Sequence, residues 1–202
     1  MVDSRSKRVP MAERREQLLD AAERVLVKDG VRGLTTRSVA AEAKCALATV
    51  HYVFDDVDDL LAGVLQRSVA DVTQHLSEKE FQAVHTVEEA VAECLLALWE
   101  LVEADPQRQI VQYELTLHFL RRDPSSGRQQ YRDYASIVEG MLARLIAPEL
   151  LEPGSIDSLA RRITAYVDGL ILQYLLDRDS GRARQDLIDP PVMTVRSERD
   201  TR

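Results

Sequence analysis

The chain has 202 residues, a net charge of −8, and a composition that is 45% hydrophobic and 30% charged. No apolar stretch is long enough to span a bilayer, and no apolar segment follows the basic residues Arg5, Lys7 and Arg8, so we expect a cytoplasmic protein without a signal peptide. The few Gly and Pro residues, beside many Ala, Leu, Glu and Arg, favour helices over a sheet, and we predict an all-α fold.

Three helices are predicted in the first quarter of the chain, over about 12–28, 37–43 and 47–53. Gly30 ends the first helix, and Thr35 or Thr36 can cap the second. A short turn at Lys44, Cys45 and Ala46 leads to the third helix. Two short helices joined by such a turn have the size of a helix-turn-helix, whose second helix enters the major groove of DNA.

The third predicted helix has two different faces. Leu47, Val50 and Phe54 share one face at positions i, i+3 and i+7. The other faces carry small, polar and aromatic side chains that suit approach to a groove, namely Ala48, Thr49, His51 and Tyr52. An outer face without any function is the alternative, because any three-helix mini-domain needs an inner apolar stripe.

Charge is distributed unevenly along the chain. Residues 1–54 hold ten Lys and Arg against seven Asp and Glu, whereas residues 55–202 hold sixteen against twenty-seven. A basic head on an acidic body is expected if only the head contacts phosphate.

The body is predicted to be helical over about 57–77, 87–104, 107–121, 128–146 and 155–179. The helix over 107–121 is apolar on nearly every side, so we expect it to be central and buried. Residues 123–127 are typical of a turn, and the charged tail over 183–202 is expected to fray.

The segment from Leu34 to Leu61 resembles the DNA-binding head of TetR/AcrR-type regulators. The residues that match their pattern are Thr35, Thr36, Ala40, Thr49, Tyr52, Phe54, Leu60 and Leu61. The resemblance implies a helix-turn-helix domain over 1–54 and a ligand-binding and dimerisation domain over 55–182. It also implies that Thr35, Thr36, Lys44 and Tyr52 lie near phosphates. The residues implied to face or flank the bases are Arg37, Leu47, Ala48, Thr49 and His51.

The resemblance further implies a repressor that binds a palindromic double-stranded operator as a homodimer. The dimer would form through the helices near 128–146 and 155–179, where Ala165 and Gly169 allow close approach. A hydrophobic or amphipathic effector would release the DNA from a pocket between body helices. The candidate pocket residues are Trp99, Tyr113, Glu114, Thr116, His118, Phe119 and Tyr134. Glu114 and His118 are the better candidates, although their i, i+4 spacing also allows them to satisfy each other.

Several positions depart from the family pattern. Lys44 replaces the turn glycine, Ala46 replaces a capping serine, and Val57 replaces a lysine at the start of the fourth helix. That start is surrounded by four aspartates, Asp55, Asp56, Asp58 and Asp59. Acid at this place repels phosphate, so we expect weaker and more salt-sensitive DNA binding. The alternative is a small-molecule-binding protein of the same fold that has lost DNA binding.

Other functions have less support in the sequence. Asp55, Asp56 and Asp59 form the DDxxD pattern of helical prenyl-diphosphate enzymes, but a second acidic motif is missing, so we predict no enzyme and no cofactor. Carboxylates at a helix start are the ordinary explanation. The cysteines, Cys45 and Cys94, are predicted to be buried free thiols, and the histidines lack metal-ligand spacing.

Overall fold

The computed structural model describes residues 10–81, 83–122, 124–147 and 155–188. Every regular element in these ranges is an α-helix, which confirms the predicted fold class. The helices are α1 (Met11–Gly33), α2 (Thr36–Glu42), α3 (Leu47–Val53), α4 (Val57–Glu78), α5 (Val87–Ala104), α6 (Pro106–Arg122), α7 (Pro124–Leu145), α8 (Ser155–Asp177) and α9 (Ser180–Ile188). The basic arm before Pro10 and the tail from 189 to 202 lie outside the described residues.

The chain divides into two compact units. The head unit contains Met1–Ala70 and Gln107–Gln130, and the body unit contains Asp71–Pro106 and Tyr131–Arg202. The head unit therefore includes α6, a helix that the sequence assigned to the body. None of the described helices combines the length and apolarity needed to cross a membrane.

Two elements near predicted loops differ from expectation. The turn predicted over 123–127 is wrong, because α7 already begins at Pro124. Proline is favoured at the first position of a helix, where its missing N–H has no intrahelical partner to lose. The fraying predicted from residue 183 is also wrong up to Ile188, because α9 packs Ala183 and Leu187 into the protein, with Leu187 fully buried.

The core of the head unit is formed by apolar residues from α1 to α4 together with three residues of α6. Leu18 and Leu26 of α1, Val50 of α3 and Leu60 of α4 are at most 2% exposed. Val111, Leu115 and Phe119 of α6 belong to the same cluster. The full burial predicted for this helix is wrong, since Leu117 and Leu120 on its other side are 55% and 56% exposed.

Gly30 interrupts α1 near its end, with φ 68° and ψ −178°. This left-handed backbone conformation carries no steric cost for glycine, because glycine has no Cβ. The carboxylate of Glu114 also lies 3.0 Å from the position that a Cβ would occupy. The backbone angle therefore favours glycine here, and a Cβ would also press on the Glu114 carboxylate.

The body unit is built around Trp99, which is 1% exposed and contacts Tyr174 edge-to-face at a centroid distance of 5.3 Å. The α9 helix is attached to this core through polar groups. Arg184 pairs with Glu103, and the Tyr166 hydroxyl donates to the Asp186 carbonyl at 2.6 Å. The hydrogen bond from Arg184 lowers the pKa of Glu103.

The two cysteines differ in environment. Cys94 is fully buried, and burial raises its pKa to about 12, so the thiol stays protonated and unreactive at neutral pH. Cys45 is only partly buried, so the prediction that both are buried holds for Cys94 alone.

Candidate nucleic-acid interface

A capping box fixes the start of α2. The Ser38 N–H donates to Thr35 Oγ1 at 3.0 Å, and the Thr35 N–H donates to Ser38 Oγ at 2.9 Å. Such reciprocal capping stabilises a helix by about 1 kcal/mol. It orients Thr35, which is exposed, and Thr36, which is half-buried, at the front of the helix-turn-helix.

The turn between α2 and α3 carries a backbone cost. Lys44 has φ 52°, in the left-handed region where a side chain costs roughly 1 kcal/mol relative to glycine. Ala46 stands at the N-cap of α3 and supplies no side-chain hydrogen bond. The turn is therefore formed with residues that stabilise it less than glycine and serine would.

The α3 helix presents one buried and one exposed face. Val50 is fully buried, and Leu47 packs partly against the head core rather than standing free. Ala48 and His51 are exposed, and Tyr52 is 65% exposed. Thr49 is half-buried at the edge of this face. The structure thus brings Ala48, Thr49, His51 and Tyr52 together on an outward surface that is one to two helical turns long.

Basic side chains flank this surface. Arg37 on α2 and Lys44 in the turn are both exposed. Arg24 on α1 is occupied by an ion pair with Glu42, 2.6 Å long and exposed on both sides. Arg37 and Lys44 are therefore exposed cations on the helix and the turn that precede α3.

The acidic run before α4 has structural partners. The Asp59 N–H donates to the Asp56 carboxylate at 2.8 Å, and the Asp55 N–H donates to the Asp59 carboxylate at 3.1 Å. Asp58 binds His118 Nε2 at 2.9 Å and Arg122 Nε at 3.2 Å. Asp56 and Asp59 therefore bind backbone N–H groups at the start of α4, and Asp58 pairs with Arg122, so these three carboxylates have structural roles. Among the described residues, no three His, Cys, Asp or Glu side chains cluster as a metal site.

Glu114 and His118 of α6 do not satisfy each other, as their spacing had suggested. Glu114 Oε2 accepts a hydrogen bond from the Val31 N–H at 2.9 Å, directly after Gly30. His118 instead binds Asp58 at the start of α4. Helix α6 is therefore joined by polar contacts to both α1 and α4 within the head unit.

The other candidate pocket residues have different surroundings. Tyr113, Thr116 and Phe119 belong to the head unit, where Phe119 packs in the core. The Thr116 hydroxyl donates to Gln130 Oε1 at 2.9 Å, in a buried amide network with Gln112. In the body unit, Trp99 is part of the core and Tyr134 is half-buried.

Several residues that position the interface escaped the sequence analysis. Arg67 of α4 is the clearest, because it binds Asp20 and Glu23 of α1, each at 2.7 Å. Burial lowers the pKa of Arg67, but the hydrogen bonds and charges of these two carboxylates outweigh burial and raise it. The only sequence signal was a charged residue on the apolar helix α4, opposite acids spaced three to four residues apart on α1.

The chain matches two family descriptions. Residues 18–64 match "Bacterial regulatory proteins, tetR family", and residues 86–194 match "Tetracyclin repressor-like, C-terminal domain". The HTH-type nicotine-responsive transcriptional repressor HdnoR of Paenarthrobacter nicotinovorans is 31% identical over 188 residues, with 90% of this chain and 93% of the relative covered. The HTH-type transcriptional regulator PksA of Bacillus subtilis is 26% identical, with 93% and 90% covered.

A solved structure is similar over nearly the whole chain. The multidrug binding protein EbrR, crystallised with imidazole, is 31% identical with a TM-score of 0.63, covering 94% of this chain and 96% of that one. A second EbrR structure, with ethidium, also has a TM-score of 0.63. With more than half of its length matched by the C-terminal domain and an exposed helix-turn-helix at its front, the chain belongs to the tetR family and is a ligand-responsive, DNA-binding transcriptional repressor.

Proposed function

We propose that the protein acts as a homodimer, binds a near-palindromic operator through two copies of α3, and releases it when an effector binds. The observation that carries this proposal is the α3 surface, which is exposed and flanked by Arg37 and Lys44. Of the aspartates beside it, Asp56 and Asp59 bind backbone N–H groups and Asp58 pairs with Arg122, and these structural roles favour regulation over catalysis.

Contacts to DNA follow from exposure and chemistry. Thr35, Thr36, Lys44 and Tyr52 carry hydroxyl or ammonium groups suited to phosphates, and Arg37, Ala48, Thr49 and His51 are suited to the bases. Leu47 supports α3 from the core side. The test is selection of sites from a random duplex library. We expect a near-palindrome, lost in Tyr52→Ala and retained in Val27→Ala, a control on α1 that is 50% exposed. Selection of no site by the unaltered protein at low salt would contradict the proposal.

The dimer is supported by unpartnered faces on the two helices near 128–146 and 155–179. On α7, exposed residues with small side chains or none repeat as Ser136, Gly140 and Ala143. On α8, they repeat as Ala165, Gly169, Leu172 and Leu176, with Leu176 88% exposed. Gly140 and Gly169 have open space around them, so a second helix can approach closely. Small and apolar side chains at alternating steps of four and three match a two-fold helical bundle.

The effector is proposed to be an amphipathic molecule with an aromatic ring and a positive charge. One relative is nicotine-responsive, and EbrR structures contain ethidium, proflavin and malachite green. The excess of acid in residues 55–202 would attract a cation. Of the candidate residues in the body unit, Tyr134 is a half-buried aromatic able to contact such a ring, whereas Trp99 serves the body core.

Communication between effector and DNA is proposed to run through α6 as well as α4. Glu114 and His118 bind α1 and α4, so a displacement of α6 would be transmitted to the helices that support α3. An effector would then favour a head arrangement that does not fit the operator.

Glu114→Ala is expected to weaken this communication. The variant loses the acceptor for the Val31 N–H but touches neither α3 nor the core, so operator affinity should change less than about threefold. The factor by which an effector lowers operator affinity should fall by roughly fivefold or more, within the usual range of coupling energies. Fluorescence anisotropy of labelled operator with and without effector measures both quantities. Glu88→Ala, an exposed glutamate on α5, is the control, and equal coupling in the two variants would refute the role of Glu114.

A further inference from the structure

The α3 helix contains no Arg, Lys, Asn or Gln. The helix runs Leu-Ala-Thr-Val-His-Tyr-Val, so its polar side chains are those of Thr49, His51 and Tyr52. Paired hydrogen bonds to guanine are made by Arg or Lys, and paired hydrogen bonds to adenine by Asn or Gln. This helix contains none of these residue types and cannot make either contact.

Burial limits which side chains of α3 can contact the bases. Val50 is fully buried, and Leu47 and Val53 are partly buried against the core, so these three contribute less to the outward face. Ala48, His51 and Tyr52 stand at i, i+3 and i+4 and share the exposed face, with Thr49 at its edge. The smallest member of this face, Ala48, lies in its first turn, where the helix backbone can approach the floor of the groove most closely.

Small apolar side chains have one specific partner in the major groove. The C5 methyl of thymine projects into that groove and is contacted by methyl groups of Ala and Thr. On the α3 face, such methyl groups belong to Ala48 and Thr49.

We propose that α3 reads its half-site mainly through thymine C5 methyl groups, with Ala48 as the principal reader and Thr49 beside it. This inference rests on the proposed function, since it names the bases that the same surface recognises. Tyr52 and Lys44 hold the head on the phosphates, and the methyl contacts of α3 supply the preference for thymine.

The test uses the operator obtained by selection, with each thymine replaced in turn by deoxyuridine. This change removes the C5 methyl and leaves every hydrogen-bonding group of the base pair in place. Loss of one buried methyl corresponds to about a fourfold loss of affinity. At one symmetric pair of positions, we therefore expect about fourfold weaker binding per half-site and roughly fifteenfold for both. Deoxyuridine at the flanking thymines should leave affinity unchanged.

Ala48→Gly assigns the contact. Glycine weakens the helix by itself, but the ratio of affinities for thymine and uracil operators cancels that effect. At the sensitive position we expect this ratio to fall from about four towards one. An unchanged ratio would overturn the assignment to Ala48.

Two further outcomes are decisive. Full affinity for an operator with deoxyuridine throughout would overturn the inference while leaving the proposed function intact. Dependence on guanine N7, tested with 7-deazaguanine, without dependence on thymine methyls would replace it with guanine readout by His51 of α3 or Arg37 of α2. If no operator were selected at all, the proposed function itself would fail, and the inference with it.

Discussion

Replacing both Leu172 and Leu176 with glutamate is expected to convert the protein to a monomer and to lower operator affinity by more than about a hundredfold. These leucines are 50% and 88% exposed on α8, and burial against a second copy is the most direct explanation for such exposure. In a two-fold bundle, the substitutions would place four carboxylates near the axis, where they repel one another without solvent to screen them. A dimer gains roughly 10²–10⁴ in affinity from simultaneous binding of two half-sites, and a monomer loses that gain.

Sedimentation equilibrium and operator titration together measure this prediction. Ile188→Glu is the matched control, because Ile188 is 65% exposed but lies on α9. It should leave both mass and affinity unchanged. A dimer that persists in the double variant would show that the exposed face of α8 is not the interface.

The second large effect is expected for Leu115→Ala, which should lower the free energy of unfolding by about 2–5 kcal/mol. Leu115 is on α6, fully buried, and packed in the core of the head unit. Removing its side chain leaves a cavity between α6 and the helices that carry α3, so the loss should fall on the head.

The neighbouring Leu117 provides a strict comparison for Leu115. It lies on the same helix but is 55% exposed, so Leu117→Ala should cost less than about 0.5 kcal/mol. Urea unfolding followed by circular dichroism gives both values. Equal costs for the two variants would mean that α6 is not part of the head core.

Much of the head could be predicted from sequence because its signals are local. The bounds predicted for α3, 47–53, agree with Leu47–Val53, since a short turn precedes the helix and buried Phe54 follows it. Either Thr35 or Thr36 was predicted to cap α2, and the cap is Thr35, whose side chain bonds Ser38 only three residues away. In each case, the physical cause lies within a few residues of its effect.

The remaining features depend on distant partners. Helical spacing placed Glu114 and His118 on one face, but their partners, Val31 and Asp58, are 83 and 60 residues away in sequence. No periodicity could indicate these contacts. The polar sequence of α9 likewise did not predict a helix. This helix is attached by the ion pair of Arg184 with Glu103 and by the hydrogen bond from the Tyr166 hydroxyl to the Asp186 carbonyl.

The four aspartates at the start of α4 have structural partners that the sequence did not indicate. Four aspartates beside a recognition helix predict repulsion of phosphate, yet three of them are bound to backbone N–H groups or to His118 and Arg122. Hydrogen bonds to backbone N–H groups leave Asp56 and Asp59 charged, and Arg122 offsets the charge of Asp58 alone, so weaker DNA binding stays a prediction. Whether it holds is decided by the salt dependence of operator affinity.

The central claim is that effector and DNA binding are coupled, and calorimetric titration of an effector with and without operator tests it most directly. Cationic aromatic compounds that do not intercalate into DNA are the first to use, because an intercalating compound would change the operator itself. By linkage, a compound that releases the operator must bind at least about fivefold more weakly to the operator complex than to the free protein. Identical affinity in both titrations, for a compound that binds the protein well, would contradict ligand-responsive repression.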